Sequence, residues 1–391
     1  MMDEGLGRMV ATVLVLGALA ALGLVAVAAG GRDVMGGGGS GFFRASTLKA
    51  NTETVETLYT NSDTYNFTFI DTSGTPRSVF SSKDGAIVIA SDKVGNIYRS
   101  VDYGSSWTSG QYLKVGSKGG YGSIYGLAMT SSGECMIAGT GLHATFKSTD
   151  YGASWSKLSN QVCSVITGTT DLKKLACIGG LTTDESVYLY YSHDSGVTWS
   201  KSKSDPGQWI GIVGNSDFTM VSASKYSLDY YFHNSSDGAV SFDAIESTES
   251  DDLEWGCLAG SIDLSTMIIT DVKTRNVHVS RDYGNNWYRA FNAQNYQLQD
   301  SVTINACAVS KEGNAYALGF SGYQTLTVFN CPDPTEYKEC NHLWVTQYNA
   351  SSTGVFDTQS ISLSEDGSRF FSVDATTKQI TVGVIEEDDD A

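Results

Sequence analysis

Hydrophobic and polar positions fall into three regimes along the chain. Met9 to Ala29 is an uninterrupted run of 21 apolar or small residues. As a helix at ~1.5 Å per residue it would be ~31 Å long, about the thickness of a bilayer core. Gly36-Gly-Gly-Gly-Ser40-Gly41 then reads as a flexible stalk. Beyond about residue 54 the pattern changes to short apolar or alternating runs, such as Ile87-Val-Ile-Ala90, Asn96-Ile-Tyr-Arg99 and Ser186-Val-Tyr-Leu-Tyr-Tyr191. Asp, Gly and Ser punctuate these runs, which predicts short β-strands joined by tight turns. No amphipathic helix of useful length follows residue 60.

One turn motif recurs. It reads Ser100-Val-Asp102-Tyr-Gly104-Ser-Ser-Trp107, Ser148-Thr-Asp150-Tyr-Gly152-Ala-Ser-Trp155, Ser192-His-Asp194-Ser-Gly196-Val-Thr-Trp199 and Ser280-Arg-Asp282-Tyr-Gly284-Asn-Asn-Trp287. The copies are 48, 44 and 88 residues apart, and the last interval predicts a missing copy near residue 236. Ser235-Ser-Asp237-Gly-Ala239-Val-Ser-Phe242 stands there, with Ala for Gly and Phe for Trp. The chemistry is that of a strand-to-strand turn. Asp accepts bonds from backbone N–H groups the turn leaves unpaired, Gly supplies positive φ, and the aromatic residue opens the next strand on an apolar face.

A second turn precedes each box, at Asp84-Gly85, Ser132-Gly133, Asp171, Asp217, Asp263, Glu312-Gly313 and Asp366-Gly367. Seven such turns predict seven repeats of about 45 residues, each a four-stranded antiparallel sheet. That is the pattern of a β-propeller. Gly85 to Ser100 and Gly133 to Ser148 are both 15 residues, so the last repeat reaches its third strand near Gln379–Ile385. It then lacks a fourth. Thr64-Tyr-Asn-Phe-Thr-Phe-Ile70, an orphan strand before the first repeat, is the expected donor. The expected organisation is an anchor or signal peptide over 1–31, a stalk over 32–53, an all-β seven-bladed propeller over 54–385, and an acidic tail over 386–391.

The boxes resemble the Asp-box (BNR) signature of the sialidase-like, sortilin-type and photosystem II stability factor propellers. The resemblance implies a propeller whose boxes are structural and lie at the blade periphery, away from the axial site. Sialidases of this type use three converging arginines, a Tyr/Glu nucleophilic pair and an Asp acid. Here Arg77 in Thr75-Pro-Arg77 is a displaced match for their first arginine, Arg99 and Arg281 adjoin or lie within boxes, and only Arg275, Arg289 and Arg369 remain beyond the stalk. Ser91-Asp-Lys-Val-Gly95 is too tight for the acid-bearing insertion. Related xyloglucan hydrolases resemble two facing propellers, and this chain has length for one. No catalytic residue is assigned.

Composition narrows the class. A net charge of −18 disfavours nucleic acid and anionic membrane surfaces as partners. At the N-terminus, Arg8 and the small residues Ala26-Val27-Ala28 fit a cleaved signal peptide, whereas the length of the apolar run fits an uncleaved anchor through residues 9–29. Sequons at Asn66, Asn234 and Asn349 point to an extracellular or luminal propeller, membrane-anchored or secreted. Cys331 and Cys340 bracket a turn-rich segment that a disulfide would close. Cys135, Cys163, Cys177, Cys257 and Cys307 lie in apolar strand-like stretches and read as small buried hydrophobes, with any pairing left open. No Cys/His cluster has metal-ligand spacing, so neither metal nor cofactor is expected.

Two other features carry candidate chemistry. Val115-Gly-Ser-Lys-Gly-Gly-Tyr-Gly-Ser123 lacks the order of a phosphate loop, but with Lys114, Lys118, Tyr121 and Tyr125 it forms a candidate ligand-facing loop. Asp243, Glu246, Glu249, Asp251, Asp252 and Glu254 form an acidic stretch without EF-hand spacing, read as a solvated loop. The functional expectation is a non-catalytic binding or scaffold propeller recognising a protein or glycan on one face. The alternative is a glycoside hydrolase or lyase acting on cell-surface polysaccharide.

Overall fold

The computed structural model describes residues 64–386 apart from 116–119, 142, 181–185, 226–230, 247–254, 272, 292–301, 324, 331–340 and 347–355. The apolar run, the stalk, Lys118, Cys331, Cys340, Asn349 and the tail beyond residue 386 lie outside the described residues. Among the described residues every regular element is a β-strand, and no helix is long and apolar enough to cross a membrane.

Seven inner strands, Pro76–Ser81, Gly126–Met129, Ile166–Gly168, Trp209–Gly214, Trp255–Gly260, Thr303–Val309 and Phe356–Leu363, each open one repeat. Each repeat runs outward from its inner strand through antiparallel neighbours. From Gly126–Met129 round to Phe356–Leu363 neighbouring inner strands also touch, and the Ser78 hydroxyl donates to Ile124 O (2.8 Å) just before the second of them. The circuit closes where the backbone N–H groups of Val79 and Ser81 donate to Ser360 Oγ (3.2 Å) and Ser362 Oγ (3.1 Å). The orphan strand takes the expected place. Thr64–Asp71 pairs along its whole length with Gln379–Glu386, from Thr64↔Glu386 to Asp71↔Gln379, so the last repeat borrows its outer strand from the start of the fold.

The expectation of seven separate blades needs correction. The described strands form six sheets, one of them eight-stranded. Strand Ala315–Tyr323 runs on beyond its hairpin and pairs with Phe356–Leu363 at Ser321↔Asp357 and Tyr323↔Phe356. That extension joins the sixth and seventh sequence repeats into one sheet, which a repeat count cannot register.

The core lies between repeats. Ile89 and Ile97 of the first repeat pack with Leu127, Met136 and Phe146 of the second, and the same kind of apolar layer recurs around the ring. Within the eight-stranded sheet, Ala306 and Ala317 pack against Ile361 and Phe370. Each fully buried Ile, Leu or Phe of these layers contributes roughly 1.5–3 kcal/mol. The aromatic residue closing each box joins a layer: Trp107, Trp155, Trp199, Phe242 and Trp287 each pack against the neighbouring repeat.

Four cysteines read as plain hydrophobes are in fact disulfide-bonded, as Cys163–Cys177 and Cys257–Cys307. They are buried or partly so, as expected, but the fold also brings them together. Cys257 and Cys307 sit on adjacent inner strands 50 residues apart in sequence, a proximity that packing of the fifth repeat against the sixth creates. Cys135 remains a free thiol, and burial pushes its pKa up.

Candidate functional site

In the five repeats that carry a box, the first hairpin and the box hairpin end on the same face, because antiparallel strands return alternate turns to one side. The first hairpins share one local design. Their opening side chain accepts a backbone bond from five residues on, as in Ile87 N–H to Ser82 Oγ (2.9 Å), Met220 N–H to Asn215 Oδ1 (3.0 Å) and Arg369 N–H to Ser364 Oγ (2.9 Å). The fourth residue is left-handed in all seven. It is Gly85, Gly133, Gly313 or Gly367 in four turns, and Leu172 (φ 54°), Phe218 (φ 60°) or Leu264 (φ 59°) in three. Those three side chains are buried, so their core contacts offset the backbone strain that Gly would avoid.

The second residue of each turn faces its neighbours around the axis. Lys83 N–H donates to Ser131 O, Thr170 to Ser216, Ser216 to Ile262, Ile262 to Lys311, and Glu365 back to Lys83 (2.7–3.2 Å). Glu312 N–H completes the link from the sixth turn to Glu365 O at 3.2 Å. Six of the seven junctions are bonded in this way, and hydrogen-bonded backbones lie ~4.8 Å apart, so a ring of seven such turns encloses a mouth of about 11 Å between Cα atoms. Around it stand Lys83, Ser131, Thr170, Ser216, Ile262, Lys311 and Glu365. Most are half-buried, whereas the third residue of every turn is exposed.

The charges of this ring are unevenly satisfied. Lys83 Nζ pairs with Glu365 Oε1 at 2.6 Å. Lys311, on the other side of Glu365, has no carboxylate within ion-pair reach among the described residues. Burial, helped by the like charge of Lys83, pushes its pKa down to about 8, against the pull of Asp84. Next to the ring, between the third and fourth turns, lies an open cavity of about 350 Å³ lined by Thr170, Asp171, Lys174, Ser216 and Asp217 among others.

The boxes occupy the outer part of the same face. In each, the Ser hydroxyl donates to Asp Oδ1 and accepts the N–H of the left-handed Gly or Ala; for the first box these are Ser100 Oγ to Asp102 Oδ1 (2.8 Å) and Gly104 N–H to Ser100 Oγ (2.9 Å). The Asp then accepts the N–H and side chain of the residue four on, here Ser106. Ser148/Asp150, Ser192/Asp194, Ser235/Asp237 and Ser280/Asp282 repeat this. The hydroxyls of Ser106, Ser154 and Thr198 hold Asp102, Asp150 and Asp194 below the usual carboxylate range. At Asp237 and Asp282 burial works the other way, but the bonds from Ser241 and Asn286 prevail and both are also lowered. Trp107, Trp155, Trp199 and Trp287 each donate Nε1–H to the box glycine carbonyl (2.9–3.2 Å); Phe242 has no such group.

On the opposite face the sequence-predicted loop residues separate. Lys114 and Tyr121 lie opposite each other in an outer hairpin, with Tyr121 against Tyr112 at 4.5 Å between ring centroids. Tyr125 stands instead beside an inner strand, under the Arg77 guanidinium at 4.0 Å. Three buried aspartates there, Asp92, Asp271 and Asp374, accept backbone N–H groups of their own turns. Asp374 is raised by burial, although the N–H groups of Thr377, Asp357 and Thr376 pull it down.

The arginines disperse. Arg99 Nε donates to Tyr151 O at 2.6 Å, Arg281 reaches Thr266 and Gly313 O, and Arg369 lies over Tyr103. Each ties one repeat to the next. Of the sequons, Asn66 lies on the borrowed edge strand, while Asn234 accepts from Ser222 Oγ (2.7 Å) and donates toward Tyr283 O (3.4 Å). Sequence reasoning found the seven turns but passed over their second residues. Superposing the turns on their Asp or Gly would have put Lys83, Lys311 and Glu365 in one column.

No protein-family model matches the chain, and no curated protein matches it. Among solved structures it resembles YCF48 bound to D1 peptide, with 13% identity and a TM-score of 0.58 over 82% of this chain and 97% of that one. It also resembles the β-propeller domain of Cps50 (Swd1) from Myceliophteria thermophila (9% identity, TM-score 0.58, 83% and 100% covered). An ancestral GH74 enzyme is similar as well, at 14% identity and a TM-score of 0.57 over 79% of this chain, which spans only 44% of that enzyme. At these identities the likeness establishes the fold. It is an all-β propeller.

Proposed function

We propose that the protein is a non-catalytic binding propeller that recognises a protein partner on one face. The observation that carries this reading is what the recurring aspartates do. Five box aspartates and three buried ones on the opposite face are spent on capping turns, and Asp374, whose carboxyl burial raises, is enclosed by backbone donors. General acid–base hydrolysis needs carboxylates aimed at a substrate instead. The peptide held by the YCF48 propeller supports a peptide-like partner here. The boxes act as a structural Asp-box framework in this reading, with Lys114, Tyr121 and Tyr125 as a secondary rim contact.

The two disulfides support an extracellular or luminal setting, membrane-tethered through residues 9–29 or secreted, since such bonds persist in oxidising compartments. Turnover on a panel of glycosides and polysaccharides tests the activity, and none is expected. Hydrolysis of any of them would replace this reading with the glycosidase one. Protease protection and glycosidase treatment on intact membranes test the compartment; a cytosolic, unglycosylated chain with reduced cysteines would overturn it.

A further inference from the structure

From the axial ring on the turn face we infer an anion site that takes a carboxylate of an acidic peptide segment, with the Lys311 ammonium as its ion-pair partner. This rests on the binding-module reading and names the chemistry of its partner. Three observations converge on it. The first is geometric. The backbone N–H groups of six of the seven turns are consumed by the belt, so the mouth presents side chains, and these are two lysines, one glutamate, three hydroxyl residues and Ile262.

The second is the charge balance. Glu365 stands between the two lysines in ring order but pairs with Lys83, which leaves the half-buried Lys311 with no ion pair among the described residues and only the longer-range pull of Asp84, in a chain of net charge −18. A cation withdrawn from water without a counter-ion is costly, and an incoming carboxylate removes that cost while gaining a charge-assisted hydrogen bond. The third is room. Ser131, Thr170 and Ser216 occupy the arc opposite the lysines in ring order, and Thr170 and Ser216 line the cavity that opens beside it. On its wall Asp217 is held below the usual carboxylate range by the backbone N–H and hydroxyl of Thr219, with Lys174 adding a smaller pull. A peptide can therefore set one carboxylate at the axis and lay its chain outward over this cavity.

The pH dependence has a defined sign. The carboxylate binds the protonated amine, so affinity holds below about pH 8 and falls as the pH rises through that value. The charged groups around Lys311 are Lys83 and Asp84 of the first turn, Asp263 of the fifth, Glu312 of its own and Glu365 and Asp366 of the last.

The experiment is a binding titration of the full chain with an acetylated, amidated pentaglutamate peptide. Pentaglutamine, a phosphoserine peptide and inorganic phosphate serve as the other arms. We expect pentaglutamate to bind and pentaglutamine not to. Lys311→Gln should weaken binding about tenfold or more, Lys311→Arg should keep it and flatten its pH dependence, and Glu365→Gln should strengthen it severalfold by releasing Lys83. Opposite signs for two neighbouring substitutions are not what a loss of folding produces, and thermal melts of each variant check that directly. Equal binding by wild type and Lys311→Gln overturns the site and leaves the binding-module reading standing. Tighter binding of phosphoserine peptide or of phosphate alone overturns the carboxylate assignment. Glycan turnover by the same preparation would overturn both readings.

Discussion

On the turn face every repeat ends its first two strands in the same way, whereas at the other ends of the same strands the repeats disagree. Seven turns share a side-chain acceptor at the first position and a left-handed residue at the fourth. The opposite turns are capped by Asp92, Asp271 or Asp374 in three repeats and by Thr140 in the second, while in the third Gly179 N–H donates to Tyr188 O. Uniform ends let neighbouring turns bond to one another and form a belt joined at six of its seven junctions. Varied ends leave room for different loops. A propeller of this kind has one face fixed by local hydrogen bonding and another free to diversify, and the axial ring adds variable side chains to the fixed face.

The largest expected effect tests whether the ring relies on its belt or on covalent ties beneath it. Loop-closure entropy assigns the 50-residue Cys257–Cys307 span about 4 kcal/mol and the 14-residue Cys163–Cys177 span about 3 kcal/mol. Cys257→Ser with Cys307→Ser should therefore lower the denaturant midpoint more than the Cys163/Cys177 double variant. If the second pair matters more, the belt rather than the disulfide holds the inner strands.

Gly104→Ala comes next. A Cβ there would sit 2.8 Å from Val382 Cγ2 on a backbone with φ of 83°, so both packing and conformation resist it. We expect a loss of roughly 2–4 kcal/mol by chemical denaturation. Gly110→Ala, also at positive φ but with nothing near its Cβ, should cost only the conformational part, about 1–2 kcal/mol. Equal losses at the two positions would show that packing between repeats does not restrict the box.

Ser148→Ala removes the hydroxyl that bonds both Asp150 and Gly152 N–H and should cost about 1–2 kcal/mol. The boxes also set the acid response. Their aspartates have folded-state pKa values below the ordinary 3.8, so the stability they contribute is full above that value and disappears as the pH falls through their lowered ones. Asp374 is shifted the other way, so its ionisation on folding opposes stability as the pH rises. Asp150→Asn should flatten the acid limb of a stability–pH profile, and Asp374→Asn should leave that limb in place. The smallest effect is a gain: Phe242→Trp restores the missing indole N–H toward Ala239 O and should add several tenths of a kcal/mol at most, read from the thermal midpoint.

The local code of the turn face was legible in the chain because it depends on residues within five or six of each other. Ser-x-Asp spacing, the left-handed Gly and the opening aromatic predict the boxes, including the degenerate copy at Ser235–Phe242. Leu172, Phe218 and Leu264 escaped notice because nothing in a short window marks an apolar residue as left-handed. Lys114 and Tyr125 looked like one loop because they are close in sequence, yet a strand ending and a new repeat beginning lie between them.

The sequence by itself determined the repeat length, the all-β class, the boxes and the strand Thr64–Asp71 that completes the last repeat, since each follows from short-range pattern and from counting strands. Only the tertiary structure decided that the sixth and seventh repeats share a sheet, that Cys257 meets Cys307, and that Lys311 stands in one ring with Lys83 and Glu365. The physical reason is common to all three. They arise where different repeats are set side by side, consecutive ones for the shared sheet and for Cys257–Cys307, the first and last for Lys83 and Glu365, and the apolar layers between repeats set those neighbours without leaving a mark in any local stretch of sequence.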